Sequence, residues 1–336
     1  MRRFLQRLFK IHRTEGRKVF HFALLGALLE VGVALGISTA DSLFLVHVGA
    51  DRLPVVYLLL PLIMLAFTPF FAFVATRYGI DAQFKITLMS LSGGGLICFL
   101  LASAGAGTGN IPFYFVKLYA SLWAISLFTL YWNYVDRYFD MLDAKRLFSV
   151  FAGGAAFGAA LGGGLVSLLA RVLPVEHLFL AWSLVAVATF PVVLLINRSW
   201  RKIEPEVEPE KSGIVQQTVE VGRIMNRSRY VVLLNLVLIA TVFLSTVCEY
   251  QYLGIFSASA EKEQLAVLFG TLFALTNVFN LFVNFFLFSR AVALFGVRNL
   301  ALVQPLTYLG TFAFLYWSFG WTAAIFGFFA YQGIQS

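Results

Sequence analysis

Four ionisable residues stand inside long apolar stretches of this 336-residue chain: Glu30, Asp41, Lys117 and Glu249. At the centre of a lipid-embedded helix each costs about 2.5–3.5 kcal/mol on insertion scales, so such groups mark a pathway, a ligand site or a mutual partner. Two carboxylates and an ammonium can hold an ion or solute, relay a proton, or neutralise one another. Glu30 and Asp41 are eleven residues apart. That is about three turns at 3.6 residues each, which puts both on one face of a helix. The plainer alternative is a structural ion pair between Asp41 and Lys117 near the membrane interface. Asn277, Asn280 and Asn284 make a second polar stripe at helical spacing, read first as interhelical packing and second as a solute contact.

Other chemistry finds little support. The run "FAGGAAFGAALGGG", Phe151 to Gly164, has no lysine after its glycines, so it is not a phosphate-binding P-loop. It also lacks the third glycine of a dinucleotide fingerprint, because Ser167 stands there. Gly154, Gly158 and Gly162 instead form one stripe of missing side chains that lets helices touch. The histidines His12, His21, His47 and His177 are scattered near span edges, and Cys98 and Cys248 sit singly inside spans. No zinc-protease or serine-hydrolase motif is present, so the reading is of a protein that is not an enzyme and needs no cofactor or metal.

The elements that must position these residues follow from composition. Hydrophobic residues make up 60% of the chain and charged residues 12%, with a mean hydropathy of +0.83. One soluble core cannot hide that much apolar surface, so lipid must cover it. The segments are apolar on all sides over about twenty residues, which fits helices and not the alternating strands of a barrel. Spans are expected near 19–48, 53–76, 84–104, 113–135, 147–170, 178–197, 230–256, 264–288 and 298–318. A tenth opens near Gly320 and stops at Ser336, short of the roughly twenty residues a crossing needs. The chain is therefore expected to end within a helix, as part of something longer.

Lysine and arginine predict the orientation. Twenty-one lie in the N-terminal segment and the loops on its side, and three lie in the opposite loops. That bias places the N-terminus and the 198–229 linker in the cytoplasm. The net charge of +8 is read as this topology signal and not as nucleic-acid binding. "MRRFLQRLFKIHR" reads as a basic amphipathic segment, 1–18, lying on anionic lipid.

The spans also repeat. Ser38, Thr39 and Asp41 in the first correspond to Ser245, Thr246 and Glu249 in the seventh. Arg77 before Tyr78-Gly79-Ile80 corresponds to Arg290 before Phe295-Gly296-Val297. The expected domains are a six-helix bundle at 19–197, the linker 198–229, and an incomplete second bundle at 230–336.

Several stretches carry a resemblance: "TADSLFLVHVG", "YWNYVDRYFDMLDAKRLFSVFAGGAAFGAALGG", "CEYQY" and "FSRAVALFGVRNLALVQP". With the order of elements, they resemble the major facilitator superfamily over about residues 18–332. Within it they are similar to bacterial relatives of the ATP/ADP translocase (nucleotide transporter) family. The resemblance implies an all-α polytopic membrane protein of two six-helix repeats, truncated within helix ten. It implies helices one, four, seven and ten around a central cavity, with helix five across from helix eight at the interface between halves. A bacterial inner-membrane location is implied as well.

The resemblance implies solute transport by alternating access, by exchange in the nucleotide-transporting members, with a nucleotide as one substrate class. Those members carry a lysine just before the first-helix acid and another shortly after the seventh-helix glutamate. Here those places hold Ala40 and Leu253, while the glutamate matches at Glu249. A polyphosphate needs cationic partners in a low-dielectric site, so ATP and ADP fit poorly. The expected site is a cavity bounded by Asp41, Lys117 and Glu249, with Glu30 deeper. In it, Glu249 serves as proton carrier or as partner to a cationic group. Gly154, Gly158 and Gly162 are expected to meet helix eight near Asn277–Asn284. The competing class is a non-transporting membrane module that anchors, or signals for, a soluble domain beyond residue 336.

Overall fold

The computed structural model describes residues 15–105, 109–203, 229–258, 261–287 and 302–335, with short pieces between 290 and 299. At 141–142, 144–145, 230, 284–285 and 333–335 it describes the backbone alone. The basic residues 1–14 and linker residues 204–228 lie outside the described residues.

The chain runs as ten helices among the described residues: α1 Gly16–His47, α2 Leu53–Tyr78, α3 Ile80–Ala104, α4 Ile111–Asp136 and α5 Met141–Leu169. There follow α6 Leu178–Ser199, α7 Arg229–Ser257, α8 Lys262–Phe282, α9 Val303–Trp317 and α10 Trp321–Gln335. Helix α8 continues as one π-helical turn, Val283–Leu287. The first eight are long and apolar enough to cross a membrane. The fold class is that of an all-helical, multi-pass membrane protein.

Local chemistry sets the helix ends. The Asp140 side chain accepts the Asp143 amide at 2.7 Å and caps α5, while Glu261 and Gln264 form a capping box on α8. Pro54 and Pro112 stand in the first turns of α2 and α4, where a missing N–H costs nothing. Gly79 alone links α2 to α3, at φ +82°, a conformation only glycine adopts freely.

Helix α1, 32 residues and about 48 Å long at 1.5 Å per residue, is the central post of the first half. It packs against α4, α5 and α6, and α5 in turn lies along α8. Trp182 of α6 fills the space left by Gly32 and Gly36, and Tyr131 of α4 does so at Gly26. Where α1 begins, Arg146 makes a two-pronged pair with Glu15 at 2.7 and 2.9 Å. Lys202 pairs with Asp81 nearby, and Tyr134 and Tyr138 both donate to Asn197.

The glycine stripe corrects an expectation. Built β-carbons would meet the Ala23 carbonyl from Gly154 at 3.0 Å and Val31 and Ala34 from Gly162 at 2.8 Å. A β-carbon on Gly158 would land on the Ala27 carbonyl. All three therefore face α1 and not α8. The partners advance together, 23–27–31 against 154–158–162, so the two helices run parallel and a four-residue repeat stays in register along the contact. One position further round, Gly163 meets α8, where a β-carbon would stand 2.6 Å from the Ala274 nitrogen.

Asn277–Asn284 lies on the stretch of α8 that runs along α5, and the reading of the asparagines as interhelical packing fits Asn280. Asn277 donates to the Phe273 carbonyl of its own helix at 2.9 Å, and Asn280 reaches the Gln332 carbonyl of α10 at 3.5 Å. The side chain of Asn284 lies outside the described residues. A hydrogen bond does cross from α5 to α8, between Ser167 and Thr271 at 3.0 Å.

Candidate functional site

Asp41 lies six residues before the end of α1, Lys117 six residues into α4, and Glu249 eight residues before the end of α7. At 1.5 Å per residue all three sit about 9–12 Å from the same end of the bundle. There the Lys117 ammonium pairs directly with Asp41 and stands 3.8 Å from Glu249. Lys117 is 3% exposed, and the Asp41 and Glu249 side chains are 11% and 14% exposed. A buried ion triad thus joins helices from before and after the 198–229 segment. The ion pair of Asp41 with Lys117 is present, and Glu249 of α7 stands beside it as a third member.

Each member is placed by ordinary packing. Thr39 and Ser42 return their hydroxyls to the Leu35 and Ser38 carbonyls of α1, at 2.6 and 2.7 Å. That satisfies the polar neighbours of Asp41 without using its carboxylate. Phe44, Leu45, Leu53 and Val56 of the first half are buried in one apolar cluster with Cys248, Tyr252 and Phe256 of α7. This cluster seals the end of the molecule just beyond the triad. At the same end Lys262, opening α8, pairs with Glu176 before α6 at 2.8 Å.

The opposite end is different. Leu233, Val237, Ile239 and Phe243 of α7 are each 61–66% exposed, so that part of α7 stands away from other described helices. Glu30 is on the Asp41 face of α1, about 16 Å along the axis toward this end. It is half-buried beside Tyr131, makes no ion pair among the described residues, and does not join the triad. A cavity of about 370 Å³ lies between Asp51 and the Tyr250, Gln251 and Gly254 positions of α7. Its lining adjoins Glu249 along α7, through Tyr250.

Sequence reasoning missed the residues around Glu249. Tyr331 of α10, Tyr57 of α2 and Tyr252 of α7 lie within electrostatic reach of its carboxylate, Tyr331 and Tyr252 with ring centroids 5.8 Å apart. Tyr252 had a signal, since three residues after Glu249 is the same helix face. Tyr57 and Tyr331 had none, because only folding brings α2 and α10 to α7. Ser167–Thr271 and Glu176–Lys262 were equally invisible.

No metal-holding group of histidine, cysteine, aspartate or glutamate occurs among the described residues. Chemically the site offers two carboxylates, one ammonium and phenol hydroxyls, suited to holding charge in a dry place. No family model and no curated protein matches this chain in sequence.

Proposed function

We propose that the chain is a secondary transporter, moving a small solute across a membrane by alternating access between two halves. One observation carries the reading: the Asp41–Lys117–Glu249 triad is buried inside membrane-length helices and drawn from both sides of the 198–229 segment. Burying three charges in lipid-embedded helices is costly, and a structural clamp would be met as well by apolar packing. Charges held between helices from before and after the 198–229 segment suit a site that must be exposed in turn. The sequence resemblance to major facilitator proteins related to nucleotide translocases favours the same reading. So does the lysine and arginine bias, which favours a cytoplasmic N-terminus, and the resemblance adds a bacterial inner membrane. A polyphosphate fits this site poorly, because its one ammonium is already paired.

The test is accessibility. In a chain with Cys98 and Cys248 replaced by alanine, Glu30→Cys and Ser257→Cys report the two ends of the interior to an impermeant thiol reagent. A cross-link between Glu176→Cys and Lys262→Cys holds the sealed end shut. Transport predicts that Ser257→Cys reacts from its own side without the cross-link and loses at least tenfold in rate with it, while Glu30→Cys reacts faster. Rates unmoved by the cross-link would leave a membrane anchor or signalling module as the better reading.

A further inference from the structure

The cavity of about 370 Å³ beside α7 is lined mostly by groups that accept hydrogen bonds. Asp51, between α1 and α2, brings an exposed carboxylate that makes no ion pair or hydrogen bond among the described residues. Gln251 of α7 lines the same cavity, and its amide oxygen is buried with no hydrogen-bond partner. The Ser257 hydroxyl donates to the Gly254 carbonyl at 3.0 Å, so its hydrogen is spent and its oxygen is left to accept. Gly254 and Ser257 belong to the last turn of α7, where carbonyls lack helical partners and the helix dipole is negative. No lysine, arginine or histidine is among the lining residues.

Such a lining wants donors. A buried acceptor is rarely left unbonded, so Gln251 points to a donor that completes it. One water would satisfy that oxygen, but the cavity has room for far more than one water. A bare divalent ion such as calcium takes about six to eight oxygen ligands, more than these side chains supply. The remaining walls are the rings of Tyr250 and Phe319. Carboxylate plus ring faces is the combination that attracts an alkylated ammonium, because the acid pairs the charge and the ring quadrupoles hold its surface.

We propose that this cavity binds a small organic ammonium ion, its charge against Asp51 and the Gln251 amide oxygen and its alkyl part against the Tyr250 and Phe319 rings. The site is separate from the triad, since Asp41, Lys117 and Glu249 are not among its lining residues. Its walls come from both sides of the 198–229 segment, Asp51 from before it and α7 and Phe319 from after it, so a bound ion joins the two. An anion is disfavoured there, because it would face Asp51 and the negative end of α7. Where the ammonium ion goes next rests on the transport reading, but binding itself does not.

The test is thiol protection in the full chain with Cys98 and Cys248 replaced by alanine. Ala258→Cys puts a thiol on the cavity wall, and Val172→Cys puts one on an exposed position outside it. Modification by uncharged N-ethylmaleimide is followed with putrescine, agmatine or choline at constant ionic strength, and with sodium chloride, butanediol or ATP for comparison. At least one amine should slow the reaction of Ala258→Cys saturably and leave that of Val172→Cys unchanged. Asp51→Asn, at an exposed position that folding tolerates, should weaken the amine's apparent affinity about three- to fivefold, the worth of a partly exposed charge pair. Gln251→Glu adds a second acid and should strengthen it by at least as much. The proposal is overturned if no amine protects, if sodium, butanediol or ATP protects as well as the amine, if Val172→Cys is protected equally, or if Asp51→Asn binds the amine unchanged. Transport by alternating access would survive each of those results, since the cross-linking experiment reads motion without any ligand.

Discussion

Along α5, the face carrying Gly154, Gly158 and Gly162 lies backbone to backbone against α1 for two full turns, in parallel and in register. The neighbouring face meets α8 in antiparallel fashion, near a single pair of glycines, Gly163 and Gly270. The Ser167–Thr271 hydrogen bond and, beyond the helix end, the Glu176–Lys262 pair accompany that crossing. Both contacts use glycine, yet they differ in direction and fastening. The first is a continuous seam of backbone van der Waals contact, fastened where α1 begins by the Arg146–Glu15 pair. The second is nearly as extensive, running along α8 as far as its π-helical turn, with the Ser167–Thr271 hydrogen bond across it. One helix thus packs closely along both α1 and α8.

The largest expected effect breaks the link that spans both halves. Lys117→Met leaves Asp41 and Glu249 buried without their cation, and should cost about 3–5 kcal/mol of stability. Thermal unfolding in detergent measures it, and adding Asp41→Asn should recover part of the loss. A silent Lys117→Met would mean that the triad is solvated and joins nothing.

The two seams should then respond differently to the same insult. Gly158→Leu drives a side chain into the α1 backbone and should cost about 3 kcal/mol, the upper part of the overpacking range, seen as lost folded protein. Gly163→Leu should cost about 2 kcal/mol, because the α8 backbone stands further from its β-carbon than the α1 backbone does at Gly158, and should leave the first half intact in limited proteolysis. Equal losses of folded protein in the two variants would erase the distinction between seams.

The smallest effect lies at the sealed end. Lys262→Ala removes a partly exposed pair and should cost no more than about 1 kcal/mol. It should nevertheless raise thiol reactivity of Ser257→Cys several-fold, and Glu176→Lys with Lys262→Glu should restore the slower rate. Unchanged reactivity in Lys262→Ala would remove that pair from the fastening of α5 to α8.

Much of the scaffold was legible in the residues. Of the nine expected spans eight are helices long and apolar enough to cross a membrane, and the ninth, expected at 298–318, is the shorter helix Val303–Trp317 among the described residues. The pairing of Asp41 with Lys117 was open to reasoning, because a buried charge needs a partner and few were available. The glycine stripe was recognised as a contact surface, but its partner was misassigned. Spacing by four says that a helix can be approached, not by which neighbour, and Gly162 and Gly163 are only 100° apart on the helix.

Sequence alone determined the solvent of this protein, its helical class, and which four charges had to be accounted for, because each follows from the transfer cost of single residues or segments. Only the tertiary structure decided that Glu249 of α7 completes the Asp41–Lys117 pair and that Glu30 stays apart. It alone brings tyrosines from α2 and α10 to that carboxylate, and turns the glycine stripe to α1 while Gly163 meets α8. Those outcomes depend on the rotation and offset of helices that touch far apart in the chain. An α-helix apolar on every face carries no residue pattern that says which way it must turn.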